Sequence, residues 1–567
     1  MTGADATARP RFSVVTPVYD PPIPVLEAML ASVRAQTFAD WEHCLVDDGS
    51  PSPAVVAVLE HAAAVDPRVR LVRRPANGGI VAASNDGLAM ARGEFVALLD
   101  HDDELHPDAL AAVAEEIRAD PQVDYVYTDE DKLDERGRHS GPFHKPDWAP
   151  DRFRTQMYTC HLSVLRRTLV EEVGGFDPTL DGAQDWDLVL RVTERARAVA
   201  HVPRVLYHWR TIATSTAGSG VEAKPWAYDA GTRALQAHCD RTGFPAKVDH
   251  DMEHPGVYRL SPALARRPPV SIVIPTAGTV RPVRGEPTRL VTHCVRSIVE
   301  TSTYDDVEIV CVCDPPVDAA VRDELRAIAG DRLVLVPYEQ PFNYSEKVNL
   351  GVLHSGGEQV LMLNDDIEIA TPDWIERMVM YADRPGVGAV GARLLYEDGG
   401  LQHAGVIVRE LPGHLYHGFP AGFGGYANDV LVAGNYLAVT GACLMTPRAA
   451  FDEVGGLWEG LPVNYNDIDY CLKLRTLGLR VVYDPGTVMI HFESASRDTA
   501  VAEWEKGLFR DRWETVTAVD PYDNPNFDRR SINRVLPVPR RRRIAGALVR
   551  EARALVRPPV TAASGPH

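Results

Sequence analysis

An apolar run that ends in carboxylates occurs twice in this chain, and this repeat restricts the fold more than any other feature. Glu94–Leu105 reads EFVALLDHDDEL, and Glu358–Ile369 reads EQVLMLNDDIEI. Asn85 and Asn349 stand equally far before the two runs, and the tetrapeptide EVGG recurs farther along after an insertion in the second copy. A repeat this long indicates two tandem domains of about 250 residues each and excludes a solenoid.

Each run is typical of a buried parallel strand that ends at a ligand-binding edge. Phe95–Leu99 shows no alternation of polar and apolar residues, as expected when both faces of a strand are covered. Asp100, Asp102 and Asp103 follow it directly. Ligands bind beyond the carboxyl ends of such strands, and clustered carboxylates favour a hard cation such as Mg²⁺ or Mn²⁺. One copy alone would equally fit a solvated acidic turn, but the recurrence favours a metal site.

The residues before the first run alternate between strand and helix patterns. Strands are predicted to begin at Phe12, Trp41 and Val69, with amphipathic helices between them. Asp47 and Asp48 end the second strand, where carboxylates accept hydrogen bonds from a nucleoside base or ribose; an ordinary Asp-Gly turn is the alternative. The chain is therefore predicted to have an α/β fold with mixed, mostly parallel sheets and flanking helices.

A second acidic motif precedes a helix in both copies. Asp185 lies in QDWD and Asp467 in NDID, each near the predicted helix N-terminus, where the helix dipole favours an ionised carboxylate. A helix cap is the alternative role for either residue taken alone.

Composition excludes some classes of function. A net charge of −20 argues against nucleic-acid binding, because phosphate contacts need a basic surface. The 8 cysteines contain no CxxC pair, which favours buried, reduced thiols. The sequence shows no convincing signal peptide or membrane span, so a cytoplasmic protein is expected, either soluble or peripheral on the membrane.

The repeat predicts the following division of the chain. Residues 1–10 are expected to be disordered, 11–253 to form the first domain, and 254–269, which are rich in proline, to form a linker. Residues 270–515 are expected to form the second domain. Residues 516–567 are expected to be a basic tail: Arg540–Arg543 precede apolar residues at helical spacing, which suits the anionic inner surface of a membrane. A solvated tail is the alternative.

The order of these motifs resembles the family 2 inverting glycosyltransferases, which have the GT-A fold. In the first copy they are TPVYD, VDDGS, Asn77-Gly78-Gly79, the acidic turn and QDWD. In the second copy, VSIVIPT, FNYSEKVNLG, LNDDIEI, VTGACLM and HFESASR resemble tandem transferases of bacterial cell-surface polysaccharide and O-antigen assembly. The resemblance implies two tandem GT-A domains of Rossmann-like architecture. It further implies a nucleotide-sugar donor, a glycan or lipid-linked acceptor, and one Mg²⁺ or Mn²⁺ ion in each active site.

The resemblance also implies roles for individual residues in the first domain. Asp185 would be the general base that takes the acceptor proton. The metal ligands would be Asp102, Asp103 and His208, and the nucleotide-sugar would be bound by Asp47, Asp48, Asn85 and Asp100.

The second domain would repeat this arrangement with two departures. Asp467 would be the base, Asp366 and His491 the metal ligands, and the nucleotide-sugar would be bound by Asp314, Asn349, Asn364 and Asp365. Asn364 stands where the first domain has Asp100. The VDDGS motif loses its first acid to Cys313, which leaves Asp314 as the substitute.

These observations predict a metal-dependent inverting glycosyltransferase that extends a cell-surface glycan. Two arrangements stay open: both domains are catalytic, or one is catalytic and the other binds glycan or serves for docking. A nucleotidyltransferase also uses acidic metal ligands on an α/β domain, but it usually needs a basic phosphate-binding loop near the first strand, where this chain has TPVYDPP.

Overall fold

The computed structural model describes residues 9–211, 225–492 and 501–537. Its first half contains a nine-stranded sheet in the order β3-β2-β1-β4-β8-β6-β9-β5, with β7 paired to β6. The strands are β1 Phe12–Val18, β2 Trp41–Asp47, β3 Val69–Arg73, β4 Phe95–Leu98, β5 Glu104–Leu105, β6 Val123–Leu133, β7 His139–Phe143, β8 Ser163–Arg166 and β9 Ala198–Arg210. The helices of this half are α1 Ile23–Arg34, α2 Pro53–Val65, α3 Ile80–Met90, α4 Ala109–Ala119, α5 Pro150–Phe153, α6 Arg167–Glu172 and α7 Gln184–Thr193.

A helix and a hairpin connect the two halves. They are α8 Pro225–Thr242, β10 Ala246–His250 and β11 Tyr258–Pro262. Strand β11 lies inside residues 254–269, the segment expected to be a linker, and it pairs antiparallel with β10. Phe244 at the start of this hairpin packs edge-on against Tyr381 of the second half, with ring centroids 5.5 Å apart. The connection is therefore packed against the core of the second domain.

The second half repeats the sheet of the first. Its ten-stranded sheet has the order β16-β15-β12-β17-β24-β19-β25-β18, with β20 and β23 paired at its sides. The strands are β12 Val270–Thr276, β13 Val280–Val283, β14 Glu286–Arg289, β15 Val307–Cys313, β16 Leu333–Pro337, β17 Gln359–Leu363, β18 Ile367–Ile369, β19 Val387–Leu395, β20 Leu401–His403, β21 Val406–Val408, β22 Pro412–His414, β23 Gly434–Tyr436, β24 Cys443–Pro447 and β25 Arg480–His491. The helices are α9 Leu290–Thr301, α10 Ala319–Ala329, α11 Tyr344–Leu353, α12 Trp374–Ala382, α13 Arg448–Glu453, α14 Asn466–Thr476 and α15 Glu503–Thr517.

The strand order confirms the predicted fold class. In each sheet the first strand pairs parallel with two neighbours, β1 with β2 and β4, and β12 with β15 and β17. Central strands such as β2 and β12 are buried along their whole length, because helices cover both faces of the sheet. Parallel strands place their carboxyl ends at one edge, so both acidic turns lie at the same relative position in the two sheets.

Residues after α15 pack between the domains. Asn524 is buried and donates to both carboxylate oxygens of Asp129, while Arg534 forms a 2.7 Å ion pair with Asp429. Residues 518–537, expected to be part of a tail, thus contact both halves of the chain. The cluster Arg540–Arg543 lies outside the described residues. Among the residues that the structure describes, every helix is too short or too polar to cross a membrane.

Candidate active sites

A cavity lies at the carboxyl edge of the first sheet, beyond strand β4. It has a volume of about 90 Å³, and Asp100, Asp185, His161 and Tyr207 are among its lining residues. Asp100 reaches it from the end of the strand, and Asp185 reaches it from the first turn of α7. The strand-end acid and the helix-start acid predicted from sequence therefore line the same cavity.

The matching cavity in the second domain is larger, with a volume of about 400 Å³. Asn364 and Asp467 line it in the places that Asp100 and Asp185 take in the first domain. His491 and Tyr344 also contribute to its wall, as does His414, which lies in the insertion between the acidic turn and EVGG of the second copy. The insertion that distinguishes the second copy thus reaches the candidate active site.

The acidic turn of the second domain brings together donors that suit a divalent cation. Oδ1 of Asp366 lies 3.1 Å from Nε2 of His491, so a carboxylate and an imidazole converge there. In the first domain, burial and the negative charge of Asp102, opposed by His161, raise the pKa of Asp100. A bound cation would relieve this repulsion, and the donor set fits Mg²⁺ or Mn²⁺.

His208 does not take the place in the first domain that His491 takes in the second. Glu104 pairs with His208, whereas the matching Glu368 pairs with Ile490. The pairing of β9 with β6 skips three residues between Val202 and Tyr207, and the pairing of β25 with β19 skips three between Asp484 and Val488, so the two strands stay in the same register. Because successive side chains on a strand point to opposite faces and Tyr207 lines the cavity, His208 points away from it.

Trp209 therefore stands where the second domain has His491. Its ring lies 5.6 Å from that of His161, which lines the cavity. His208 instead forms a 2.7 Å contact with Asp131 on the other face of the sheet. The prediction that His208 is a metal ligand beside Asp102 is wrong for this structure, and the indole of Trp209 offers no substitute ligand.

Asp103, the third predicted ligand, supports the sheet. Its carboxylate accepts from the hydroxyl of Tyr207 at 2.5 Å and from the backbone N–H of Arg210 at 2.7 Å. Burial, then the charges of Asp100 and Asp102, raises the pKa of Asp103 well above its usual value. Of the acids in this turn, Asp100 lines the cavity, whereas Asp103 is held by Tyr207 and Arg210.

The predicted nucleoside-binding acids lie at the end of the second strand of each sheet. Asp48 accepts from the backbone N–H groups of Gly78 and Gly79, at 2.9 Å each, so it orders the loop before α3. Asp47 is 1% exposed and accepts from the N–H of Ser50. Asp48 also forms a 2.8 Å ion pair with Arg74, so both acids have partners within the fold.

Asp314 holds the position of Asp48 in the second domain, but its partner differs. The ammonium group of Lys347 lies 2.8 Å from Asp314 and also donates to the carbonyl of Thr276. Lys347 is 1% exposed, so its charge is committed to this pair. The sequence around Lys347 does not by itself indicate this contact, because the contact depends on how the helix that carries Lys347 packs against β12.

The side-chain amides of Asn85 and Asn349 are hydrogen-bonded to backbone groups. Asn85 donates to the carbonyl of Phe176 and accepts from its N–H, both at 2.9 Å. Asn349 forms the same pair of bonds with Leu457. These asparagines tie the third helix of each domain to the loop after the EVGG sequence, which explains why their spacing is repeated.

Asn364 and Asp365 both contact groups near the strand end. The amide oxygen of Asn364 accepts from the hydroxyl of Tyr344 at 3.3 Å. The carboxylate of Asp365 accepts from Thr276 at 2.5 Å. They lie at the acidic turn as predicted, with their orientation set by the neighbouring strand and helix.

The two predicted bases sit at equivalent helix starts. One oxygen of Asp185 accepts from the N–H of Trp186, and one oxygen of Asp467 accepts from that of Ile468, both at 2.8 Å. The second oxygen of Asp467 also accepts from Gly441, at 2.8 Å. These bonds fix each carboxylate in the cavity wall.

His161 is a cavity residue that the sequence interpretation missed. Burial disfavours its charged form, but the hydrogen bond and charge of Glu130, with the charges of Asp100 and Asp103, raise the pKa of His161 to about 9. Its ring stacks on Tyr207 with centroids 4.7 Å apart. Aligning TCHLS with TGACL would have indicated it, because the β4–β8 and β17–β24 registers match His161 with Ala442.

Comparison with known proteins identifies relatives of both halves. The family model for glycosyl transferase family 2 matches residues 13–174 and 271–455. An uncharacterized protein of Sinorhizobium fredii is 42% identical over 548 residues, which is 94% of this chain and 59% of that protein. An O-antigen biosynthesis protein of Myxococcus xanthus is 37% identical over 535 residues, which is 93% of this chain and 40% of that protein. The chain thus spans about half the length of these relatives.

Solved structures show a more distant likeness. Residues 1–349 of Staphylococcus aureus TarS, in complex with UDP-GlcNAc, are 20% identical and align over 40% of this chain and 66% of that one, with a TM-score of 0.34.

Proposed function

Because the chain belongs to glycosyl transferase family 2, we propose that it transfers sugars from nucleotide-sugar donors to a growing cell-surface glycan, with inversion at the anomeric carbon. One observation carries this proposal. Each domain has a cavity with a strand-end polar residue, Asp100 or Asn364, and a helix-start carboxylate, Asp185 or Asp467.

The chemistry assigned to the second domain follows from that arrangement. Asp467 takes the proton of the acceptor hydroxyl as its oxygen attacks the anomeric carbon from the face opposite the diphosphate. The new glycosidic bond forms as the bond to the diphosphate breaks, and the proton stays on Asp467. Asp185 does the same in the first domain. A single displacement therefore gives an inverted product.

A divalent cation would be held by Asp366 and His491 in the second domain, and by Asp102 with Asp100 in the first. When bound, Mg²⁺ or Mn²⁺ neutralises the negative charge that develops on the departing diphosphate. Asp48 and Asp314 bind the nucleoside, since each directly follows the second strand of its domain. The acceptor glycan enters the second cavity from the side of His414.

An alternative keeps one domain as a glycan-binding or docking module. The first cavity is the smaller, at about 90 Å³ against about 400 Å³, and it has Trp209 in the position of His491. The second domain, in turn, has Cys313 in place of Asp47. The size difference favours the second domain as the active one if only one is catalytic.

A donor panel separates these possibilities. The full chain is incubated with nucleotide-sugars and an oligosaccharide or lipid-linked acceptor, and released nucleoside diphosphate and product are measured for wild type, Asp185→Asn and Asp467→Asn. Two active domains predict that each variant loses a different product. If only one domain is active, one variant should keep wild-type activity and the other should be inactive. No released diphosphate with any donor would reject the proposal.

We also propose that the chain contacts the cytoplasmic face of the membrane through Arg540–Arg543, where a lipid-linked acceptor lies. At about 1 kcal/mol for each basic residue, four arginines support reversible binding to anionic lipid. A variant that ends after Pro537 keeps the Asn524 and Arg534 contacts. It should sediment less with anionic vesicles and keep its activity on a soluble acceptor; equal sedimentation would reject this role.

A further inference from the structure

Three residues with side chains suited to metal binding meet on the first sheet. Asp131 lies on β6, His208 is its partner on β9, and His139 lies on β7, which pairs with β6 on the other side. His208 faces away from the donor cavity, whereas its neighbour Tyr207 lines that cavity. The cluster therefore lies on the opposite face of the strands from the candidate active site.

The three side chains converge on one point. Oδ1 of Asp131 lies 2.7 Å from Nδ1 of His208, and Oδ2 lies 3.1 Å from Nδ1 of His139. One ligand atom from each of the three residues lies within 4.8 Å of the other two. The imidazole rings of His139 and His208 meet edge-to-face at 4.4 Å. The side chains of Asp131 and His208 are 12% and 13% exposed, and that of His139 is 50% exposed, so an ion can enter from solvent beside His139.

We propose that Asp131, His139 and His208 bind a divalent transition metal ion of the zinc class, at a site separate from the two donor sites. Two imidazole nitrogens and one carboxylate oxygen are ligands that zinc prefers over the all-oxygen sets of Mg²⁺. Bonds of about 2.1 Å in a tetrahedral site separate ligand atoms by about 3.4 Å, close to the distances within this cluster. Small side-chain rotations would therefore admit the ion.

The fourth position of the site faces solvent. The ring of a further histidine, His106, lies 6.2 Å from that of His208. Its Nδ1 accepts from the N–H of Asp108, so the neutral ring carries its proton on Nε2 and has no free lone pair to offer. A water molecule completes the coordination.

Another group of potential ligands lacks the chemistry for this role. Glu130, Cys160 and His161 also lie within ligand distance of one another. The buried ammonium of Lys145 already lies 3.2 Å from Glu130, and burial raises the pKa of the Cys160 thiol, which keeps it protonated. A cation is thus already present there, whereas the Asp131 cluster pairs its carboxylate with two histidines.

The bound ion would cross-link the β6–β7 hairpin to β9. His139 is the first residue of β7, directly after the turn at 134–138. Zinc binding is therefore expected to stabilise the folded chain by mass action and to raise its melting temperature.

The test is zinc binding to the full chain with the donor sites disabled. In an Asp102→Ala/Asp366→Ala background, isothermal titration with ZnCl₂ should give one site per chain, and Co²⁺ should produce the visible absorption of a nitrogen- and oxygen-ligated site. Adding His139→Ala or His208→Ala should weaken zinc binding about tenfold or more and abolish the Co²⁺ band.

His254→Ala is the matched control. His254 forms a comparable 3.1 Å contact with the carboxylate of Asp251. The second partner of that carboxylate is Arg259, which cannot bind a metal ion, where the proposed site has a second histidine. This variant should bind zinc as the background does. Failure of the background protein to bind zinc, or equal binding after loss of His139 and His208, would overturn the assignment and leave a hydrogen-bonded triad. Neither result depends on glycosyl transfer.

Discussion

Nε2 of His491 lies 3.1 Å from Oδ1 of Asp366, and the equivalent position beside Asp102 in the first domain holds Trp209. An imidazole nitrogen coordinates Mn²⁺, whereas an indole N–H only donates. The two sites of this chain therefore differ in one side chain that can hold a metal ion, although the strands that carry them are arranged alike.

The first prediction concerns metal affinity at the two sites. His491→Ala should raise the Mn²⁺ concentration needed for half-maximal activity of the second domain by about tenfold or more, because one ligand is lost. Trp209→Ala should leave the Mn²⁺ requirement of the first domain unchanged. The measurement is diphosphate release against Mn²⁺ concentration, with the other domain silenced through Asp185→Asn or Asp467→Asn. Equal shifts in both variants would contradict the asymmetry.

A second prediction follows from the raised pKa of His161. The folded-state pKa of about 9 exceeds the ordinary value of 6.5, so this group contributes its full stabilisation below pH 6.5 and loses it as pH rises to about 9. The loss amounts to about 3 kcal/mol at most. Urea unfolding at several pH values should show wild type losing stability across this window more steeply than His161→Ala.

The proton on His161 can also be followed directly. An NMR titration of the imidazole should give an apparent pKa well above 7, and Glu130→Gln should lower that value, because Glu130 supplies the hydrogen bond and the nearest charge. A wild-type value at or below 6.5 would contradict the prediction.

Much of the fold could be predicted because the same sequence patterns occur in both domains. Buried strands without alternation, acids at their carboxyl ends and carboxylates at helix starts lie as the sequence indicates, since these depend on local pattern and on the parallel sheet. The assignment of His208 failed because it matched the two histidines at a spacing one residue longer than that of the strands that carry them: the strand registers match His208 with Ile490 and Trp209 with His491. The repeated spacing of Asn85 and Asn349 has a structural reason that the sequence did not indicate, since each amide bonds the backbone of the loop after EVGG.

The contacts of residues 518–537 were equally hidden from sequence. Asn524 lies in a polar stretch without periodicity, yet it is 3% exposed and its amide donates to Asp129 and to the carbonyl of Lys145, at distances from 2.8 to 3.2 Å. Its partners lie in the first domain, far away along the chain. Such contacts follow from how the two domains pack, which local pattern does not encode.

A third prediction tests this connection. Asn524→Ala should destabilise the chain by about 1–3 kcal/mol, because the buried carboxylate of Asp129 and the carbonyl of Lys145 each lose a donor. Arg530→Ala is the control, since Arg530 pairs with Asp528 in the same segment but is 62% exposed, and its loss should be close to neutral. Chemical denaturation measures both. Similar denaturation midpoints for the two variants would show that the Asn524 contacts do not contribute to the free energy of unfolding.

The last prediction concerns the two bases. Asp→Asn at 185 or 467 keeps an oxygen that accepts from the helix N–H group, so the fold should be preserved. An amide cannot take the acceptor proton, and the rate of transfer should fall by about 10²–10⁴-fold. Donor affinity should change little, because the base acts on the acceptor. At Asp467 the amide also meets the N–H of Gly441, so a modest loss of stability is expected there and not at Asp185. Product analysis and nucleotide binding on each variant separate the two roles: a helix cap predicts near-wild-type rates, whereas a general base predicts intact donor binding with transfer lost.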